Sequence, residues 1–303
     1  MAKTTGRALD LRINLADSAI AAAAKNGQIP SELVRMNFCG PKVAHDGFKP
    51  MIRQGAFDAG ELAIVTFMQA KCYGKPLTLL PATMVGRFQH HTIAYNATKG
   101  VLKPKDLEGK RVAVRAYSQT TGVWVRGFLQ HQYGVDLDKV IWSAHDDPHV
   151  AEAADPPTIE RFSLGGKNLG ELLAEGQFSA AILGNVLPND SRVKPLIENS
   201  EEAALAWWRE TGALPINHMF VMNSEICRTR PDVVREMYRI LVESKKAAGK
   251  PKSDLDFLPF GFDKVRRPLE IAIQYAYEQK LIPRKLAVEE LFDETTRALS
   301  EDQ

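Results

Sequence analysis

Phe48-Lys-Pro-Met-Ile-Arg-Gln-Gly-Ala-Phe-Asp-Ala-Gly-Glu-Leu-Ala-Ile-Val-Thr66 decides the fold. It reads as a helix, a glycine stop at Gly55, and a strand from Ala59 to Val65. The same grammar returns about half a chain later in Leu169-Gly-Glu-Leu-Leu-Ala-Glu-Gly-Gln-Phe-Ser-Ala-Ala-Ile-Leu183, again a helix, a glycine stop at Gly176 and a strand. A weak pseudo-repeat at that separation predicts one copy in each of two lobes.

The rest of the chain alternates in the same way. Leu9 to Leu15 alternates apolar and polar residues, as a strand does, and Asp17, Ser18 and the following alanines favour a helix. Pro104 to Arg115 gives a short helical turn, a glycine, and a strand from Arg111, with a helix following from about Val123 to Tyr133. His218 to Asn223 reads as a strand, and Pro231 to Ala247 as a helix with Val234, Met237, Tyr238 and Leu241 on one face. Pro268 to Lys280 and Lys285 to Leu299 read as helices, with Pro268 suited to a first turn. Alternating strands and helices predict an α/β protein whose two lobes each hold a mainly parallel sheet flanked by helices. The expected crossings lie near Ile93–Asn96 and His218–Asn223. Residues 1–95 then begin lobe 1, residues 96–219 form lobe 2, and residues 220–303 return to lobe 1 and add C-terminal helices.

Bulk properties exclude several function classes. With 303 residues, 45% of them hydrophobic, the chain has ample material for a core. Its formal charge of +2 is spread without a basic tail or stripe, so nucleic acid and membrane surfaces gain no electrostatic support as partners. Cys39, Cys72 and Cys227 are far apart and form no Cys-x-x-Cys pair, which argues against a disulfide framework or metal cluster and reads as three buried thiols. Lys3, Arg7, Asp10, Arg12 and Asp17 interrupt the N-terminus, so no signal peptide is expected and a cytoplasmic location is.

Chemistry concentrates in a few places. Arg115-Ala-Tyr-Ser-Gln-Thr-Thr-Gly-Val-Trp-Val-Arg126 is a strand, a polar turn and a helix start. Helix N-terminal N–H groups beside Ser118, Gln119, Thr120 and Thr121 would make an anion pocket; the plain alternative is that Ser118 or Thr120 only caps the helix. Trp124 either stacks on a ligand ring or packs on the sheet, and Arg126 either reaches a carboxylate, as Arg115 also would, or is solvated. In Phe88-Gln-His-His-Thr92, an extended reading points His90 and His91 to opposite faces, so that one of them serves as a proton donor or both are structural. Glu61, inside an apolar strand, is poorly tolerated unless paired or facing a polar cleft, where it would be a general acid or an anchor for ligand hydroxyls; on an exposed edge it would carry no role. Asn185 and His218 follow or open strands and belong at the mouth of the same cleft. His145 and His149 sit in an acidic loop, read as solvated; a divalent metal is left open.

No dinucleotide-binding glycine motif, P-loop, nucleophile elbow or His-Glu-x-x-His is present. The chain resembles the 4,5-dihydroxyphthalate decarboxylase family, a branch of the type II periplasmic-binding-protein fold, from Leu11 to about Leu299. The resemblance rests on Gly55-Ala-Phe-Asp-Ala-Gly-Glu-Leu62, Phe88-Gln-His90, Pro104 to Val112, Thr211 to His218, Tyr275 to Phe292, and the combination of Tyr117, Thr120, Trp124, Arg126, Gly127 and His218. It departs at Gln89, where the family often has arginine, and at Arg115-Ala116, where Pro-Glu is usual. The thiamine-pyrimidine synthases fit less well, because their cysteine cluster is missing.

The resemblance implies non-oxidative decarboxylation of a hydroxylated aromatic acid in an interlobe cleft, with no redox cofactor. The turn from Tyr117 to Thr121, with Trp124 and Arg126 or Arg115, would hold the small aromatic carboxylate, while His90 first and Glu61 second would supply the proton. The rival reading is a non-catalytic binder of a similar acid, for transport or sensing. Assembly of identical chains is left open.

Overall fold

The computed structural model describes residues 8–250 and 253–301. Lys3 and Arg7, which weigh against a leader, lie outside the described residues. The chain opens with β1 (Leu9–Asn14), α1 (Ala19–Lys25), β2 (Val34–Phe38), α2 (Phe48–Gln54), β3 (Ala59–Ala63), α3 (Ile64–Cys72) and β4 (Leu77–Gly86). Its middle holds β5 (Ile93–Asn96), β6 (Arg111–Val114), α4 (Thr120–His131), β7 (Ile141–Ala144), β8 (Glu160–Arg161), α5 (Leu169–Ala174), β9 (Ala180–Ile182), β10 (Val193–Pro195) and α6 (Ser200–Thr211). It closes with β11 (Ile216–Asn223), α7 (Ser224–Thr229), α8 (Pro231–Ala247), α9 (Phe262–Glu278) and α10 (Glu294–Arg297).

Two compact units result. Unit 1 gathers the described residues of Met1–Gly86, Ile216–Glu270 and Leu286–Gln303, and unit 2 holds Arg87–Pro215 and Ile271–Lys285. The unit 1 sheet has the order β2-β1-β3-β11-β4, and the unit 2 sheet β10-β5-β9-β6-β7-β8. Each is mainly parallel with one reversed strand, β11 in the first and β5 in the second. The parallel strands demand crossover helices on the faces, and the pseudo-repeat supplies one in each unit. Its glycine stops are real: Gly55 and Gly176 take φ of 61° and 81°, a conformation that costs an L-side chain but not glycine.

In unit 1, α8 turns Val233, Val234, Met237, Tyr238 and Leu241 into a core with Leu11, Ile13, Leu80 and Met222. Full burial of each such aliphatic side chain contributes about 1.5–3 kcal/mol. The alanines of α1 permit a close approach to α8, where Ser244 Oγ accepts the Ala24 N–H at 3.1 Å. In unit 2, Ala94, Ala113, Leu172, Leu173, Phe178 and Ala181 pack together around the sheet.

Four local expectations change. The β3 strand ends at Ala63, and Ile64 and Val65 begin α3; Ile64 to Ala70 are all buried, so this helix shows no polar face and its run is indistinguishable from a strand. Pro268 is interior to α9, whose first turns are held by fully buried Val265 and by Arg266 pairing with Glu289 at 2.6 Å. The helix expected from Lys285 to Leu299 is a short 3-10 turn, Val288–Leu291, followed by α10. Asp293 breaks it by accepting the Thr296 N–H at 2.7 Å, the habit of an N-cap residue. Of the three cysteines only Cys227 is buried; Cys39 is exposed and Cys72 lies between.

Candidate functional site

A carboxylate and an imidazole meet in unit 1. The ladder pairs Ala63 with His218 and Glu61 with Phe220, so Glu61 and His218 are diagonal neighbours on one face of β3 and β11. Glu61 Oε1 lies 2.5 Å from His218 Nδ1, and Oε2 accepts the Ala16 N–H at 3.3 Å. Glu61 is 3% exposed, which a carboxylate tolerates only with such partners. Phe48 meets the His218 ring edge-on, with centroids 5.2 Å apart, and holds its plane. Since Nδ1–H donates to the carboxylate, Nε2 is left as the working nitrogen, and it has no protein partner among the described residues. An imidazole oriented by a buried carboxylate is the arrangement of a general acid–base group.

The polar turn lies in unit 2. The α4 helix begins at Thr120, three residues before the sequence estimate, so Thr120 and Thr121 are its first turn and Gln119 is its N-cap. No side chain caps the helix from Gln119, and Ser118, Thr120 and Thr121 are buried. Beneath them sits Arg126, 0% exposed and therefore unable to reach a ligand directly; this corrects its expected role as a carboxylate anchor. Arg126 Nη2 donates to the Tyr117 carbonyl at 2.5 Å, and Nε donates to Gln279 Oε1 at 2.7 Å. Gln279 in turn donates to the Val123 carbonyl at 2.9 Å. The guanidinium carbon lies 4.0 Å from the Tyr117 ring centroid and 5.4 Å from that of Trp142. Burial lowers the Arg126 pKa from its ordinary value.

Trp124 resolves to packing. It is 1% exposed and stands edge-on to Trp207 and Tyr275, with centroids 5.9 and 5.7 Å away, so no face is left for a ligand.

His90 is likewise a core residue, not the first-choice proton donor. The segment is a 3-10 turn, His90–Thr92, instead of the extended run expected. That turn carries the His90 ring into an aromatic cluster, stacked on Phe128 at 4.0 Å and tilted against Trp207, with Nε2 3.0 Å from Gln132 Oε1. Burial lowers its pKa to about 4, so it is neutral at neutral pH and has no proton to give. His91 is half-buried; its pKa is lowered by burial and by nearby Arg87, and it bonds to Asn185. Asn185 is exposed in the loop after β9.

Arg115 is committed to Asp146 at 3.2 Å. His145 packs on Phe162 with centroids 5.3 Å apart, and His149 is buried, so the acidic loop is not simply solvated. Among the described residues, no group of three or more His, Cys, Asp or Glu side chains is placed to hold a metal ion, and no helix is long and apolar enough to cross a membrane. Gln132 and Gln279, the partners of His90 and Arg126, escaped sequence reasoning. Nothing in a lone glutamine marks a contact with a residue 42 or 153 positions away.

No family model matches the chain. Over 230 residues it is 28% identical to a 4,5-dihydroxyphthalate decarboxylase of Comamonas testosteroni, covering 71% of this chain and 69% of that protein. A 4,5-dihydroxyphthalate decarboxylase of Pseudomonas putida is 31% identical over 169 residues, which is 52% of this chain and 65% of that one. Among solved structures, the alkanesulfonate-binding protein SsuA of Xanthomonas axonopodis superposes with a TM-score of 0.56 at 13% identity, over 95% of this chain and 99% of that one. The desulfurization enzyme DSZB superposes with a TM-score of 0.53 at 14% identity, over 94% and 97%. A binder and an enzyme share this fold, so the fold alone does not choose between them. In sequence this chain is similar to curated 4,5-dihydroxyphthalate decarboxylases, and in fold it is a two-unit α/β protein of the periplasmic-binding-protein kind.

Proposed function

We propose that this chain catalyses the non-oxidative decarboxylation of a hydroxylated aromatic acid of the 4,5-dihydroxyphthalate kind, with His218 as proton donor and Glu61 as the group that orients it. The observation that carries the reading is the buried Glu61–His218 contact of 2.5 Å with Nε2 left open. An imidazole oriented in this way is what delivery of a proton to a fixed position requires. The sequence similarity to two decarboxylases supports the same reading.

The chemistry follows from the substrate class. A ring hydroxyl para to the carboxyl-bearing carbon pushes electron density onto that carbon. Nε2–H of protonated His218 delivers its proton there, forming a C–H bond and interrupting the aromatic system. The C–C bond to the carboxylate then breaks, its electron pair returns to the ring, and carbon dioxide leaves. One proton is consumed for each carbon dioxide released, and no electrons are exchanged with a cofactor. Glu61 keeps Nδ1–H engaged throughout, so that the proton that is transferred leaves from Nε2.

The test is carbon dioxide release from 4,5-dihydroxyphthalate by the wild type, His218→Asn and Glu61→Gln. Loss of a positioned acid is expected to slow turnover on the order of 10²- to 10⁴-fold. If both variants turn over at the wild-type rate, the assignment fails; if the wild type binds the acid and releases nothing, the chain is a binder.

A further inference from the structure

Arg126 presents an imbalance of charge. It is fully buried, yet no carboxylate stands within ion-pair distance of it among the described residues; its bonds go to a carbonyl and an amide oxygen, both neutral. Its Nη1 is buried without a partner. That nitrogen lies 3.1 Å from where a Cβ on Gly122 would stand, and so against the first turn of α4. A desolvated guanidinium with no carboxylate in ion-pair contact is costly even with the Tyr117 and Trp142 rings against it. The carboxylate that acts on Arg126 through space is Asp155, which is bonded to the exposed Arg161 at 2.8 Å and has its other oxygen, Oδ1, unpartnered. Burial raises the Asp155 pKa, while Arg161 and Arg126 oppose that rise.

We infer that Arg126 is a positioning charge beneath a carboxylate site at the N-terminus of α4. The ligand's carboxylate binds the first-turn N–H groups and neighbouring hydroxyls, and its charge is offset by a guanidinium it never touches. Two positive sources then add at one place: the partial charge of a 12-residue helix and a full charge in low dielectric. The Tyr117 carbonyl bond fixes the turn, the Gln279 bond fixes the guanidinium, and the absence of a side chain at Gly122 leaves room for Nη1. The carboxylate class of ligand rests on the decarboxylase reading; the site does not depend on turnover.

The probe is phthalate, which has the carboxylates and lacks the activating hydroxyls, titrated calorimetrically into the whole chain. A full charge within about 10 Å at an effective dielectric near 20 is worth roughly tenfold or more in affinity. Arg126→Met is therefore expected to weaken phthalate binding by tenfold or more. Asp155→Asn keeps an acceptor for Arg161, removes the competing negative charge, and is expected to tighten binding severalfold. Catechol, with no carboxylate, should respond to neither change. A guanidinium that only braces the turn would not make Asp155→Asn a tighter binder. Unchanged or weaker phthalate binding by Asp155→Asn overturns the inference, even if Arg126→Met fails to fold. So does equal loss of catechol and phthalate in Arg126→Met. Phthalate binding with the expected responses, but without carbon dioxide release from the hydroxylated acid, would leave this site standing and remove the decarboxylase.

Discussion

His90 makes the stability of unit 2 depend on acid in a way that can be worked out beforehand. Its imidazole is 1% exposed, stacked on Phe128, and has a pKa lowered to about 4 by burial, against 6.5 for the free side chain. A base whose folded pKa is depressed is neutral in the native protein and takes a proton more readily when unfolded. Its contribution is therefore fully present above pH 6.5 and is lost as pH falls from there toward 4. At pH 5 the unfolded residue is almost entirely protonated and the folded one about a tenth so, a difference of about 2 kcal/mol; below pH 4 the full loss is about 3 kcal/mol. His90→Gln removes the titration while keeping an amide donor for Gln132. Urea unfolding of both proteins at pH 7.5 and pH 5 should show the wild type losing about 2 kcal/mol more than the variant, or about 3 °C in melting temperature. The variant is expected to start somewhat less stable at pH 7.5, for want of ring stacking, and to keep its turnover. Parallel pH dependence in the two proteins would refute the burial argument. Abolished turnover in a folded variant would restore His90 as the acid.

Other outcomes follow from single contacts. Gly55→Ala forces a side chain to φ of 61° and should cost about 1 kcal/mol by chemical denaturation, with no effect on turnover. Trp124→Ala should lose about 3–5 kcal/mol, while Trp124→Phe should retain substrate affinity, because the indole packs against Trp207 and Tyr275. Cys227, whose thiol is pushed up to about 12 by burial, should resist iodoacetamide at pH 8 in the native protein, where exposed Cys39 is alkylated; mass spectrometry of tryptic peptides reads both.

The architecture was legible because parallel α/β folds write their grammar locally. The helix, glycine stop and strand of each pseudo-repeat stand where they were read, and α8 spans Pro231–Ala247 as its apolar face implied. Boundaries failed where burial erased the period, as at Ile64, or where a capping side chain restarted the backbone, as at Asp293. Glu61 was legible as a candidate because a carboxylate in an apolar strand needs a partner, and His218 because it stands near the start of an apolar strand, two residues after β11 opens at Ile216. Their pairing was not, since it depends on the antiparallel register of strands 157 residues apart. His90 misled, and Trp124 stayed open between two readings, for one shared reason. A histidine and a tryptophan near a polar turn look like site residues, and only the aromatic cluster of Phe128, Trp207 and Tyr275 reveals that they are core.

The most direct measurement is a proton magnetic resonance assay of the purified chain with 4,5-dihydroxyphthalate in heavy water. The account requires 3,4-dihydroxybenzoate carrying one deuterium at the vacated ring carbon, formed by the wild type and by His90→Gln but not by His218→Asn. Unchanged 4,5-dihydroxyphthalate that nevertheless raises the melting temperature of the wild type would contradict it.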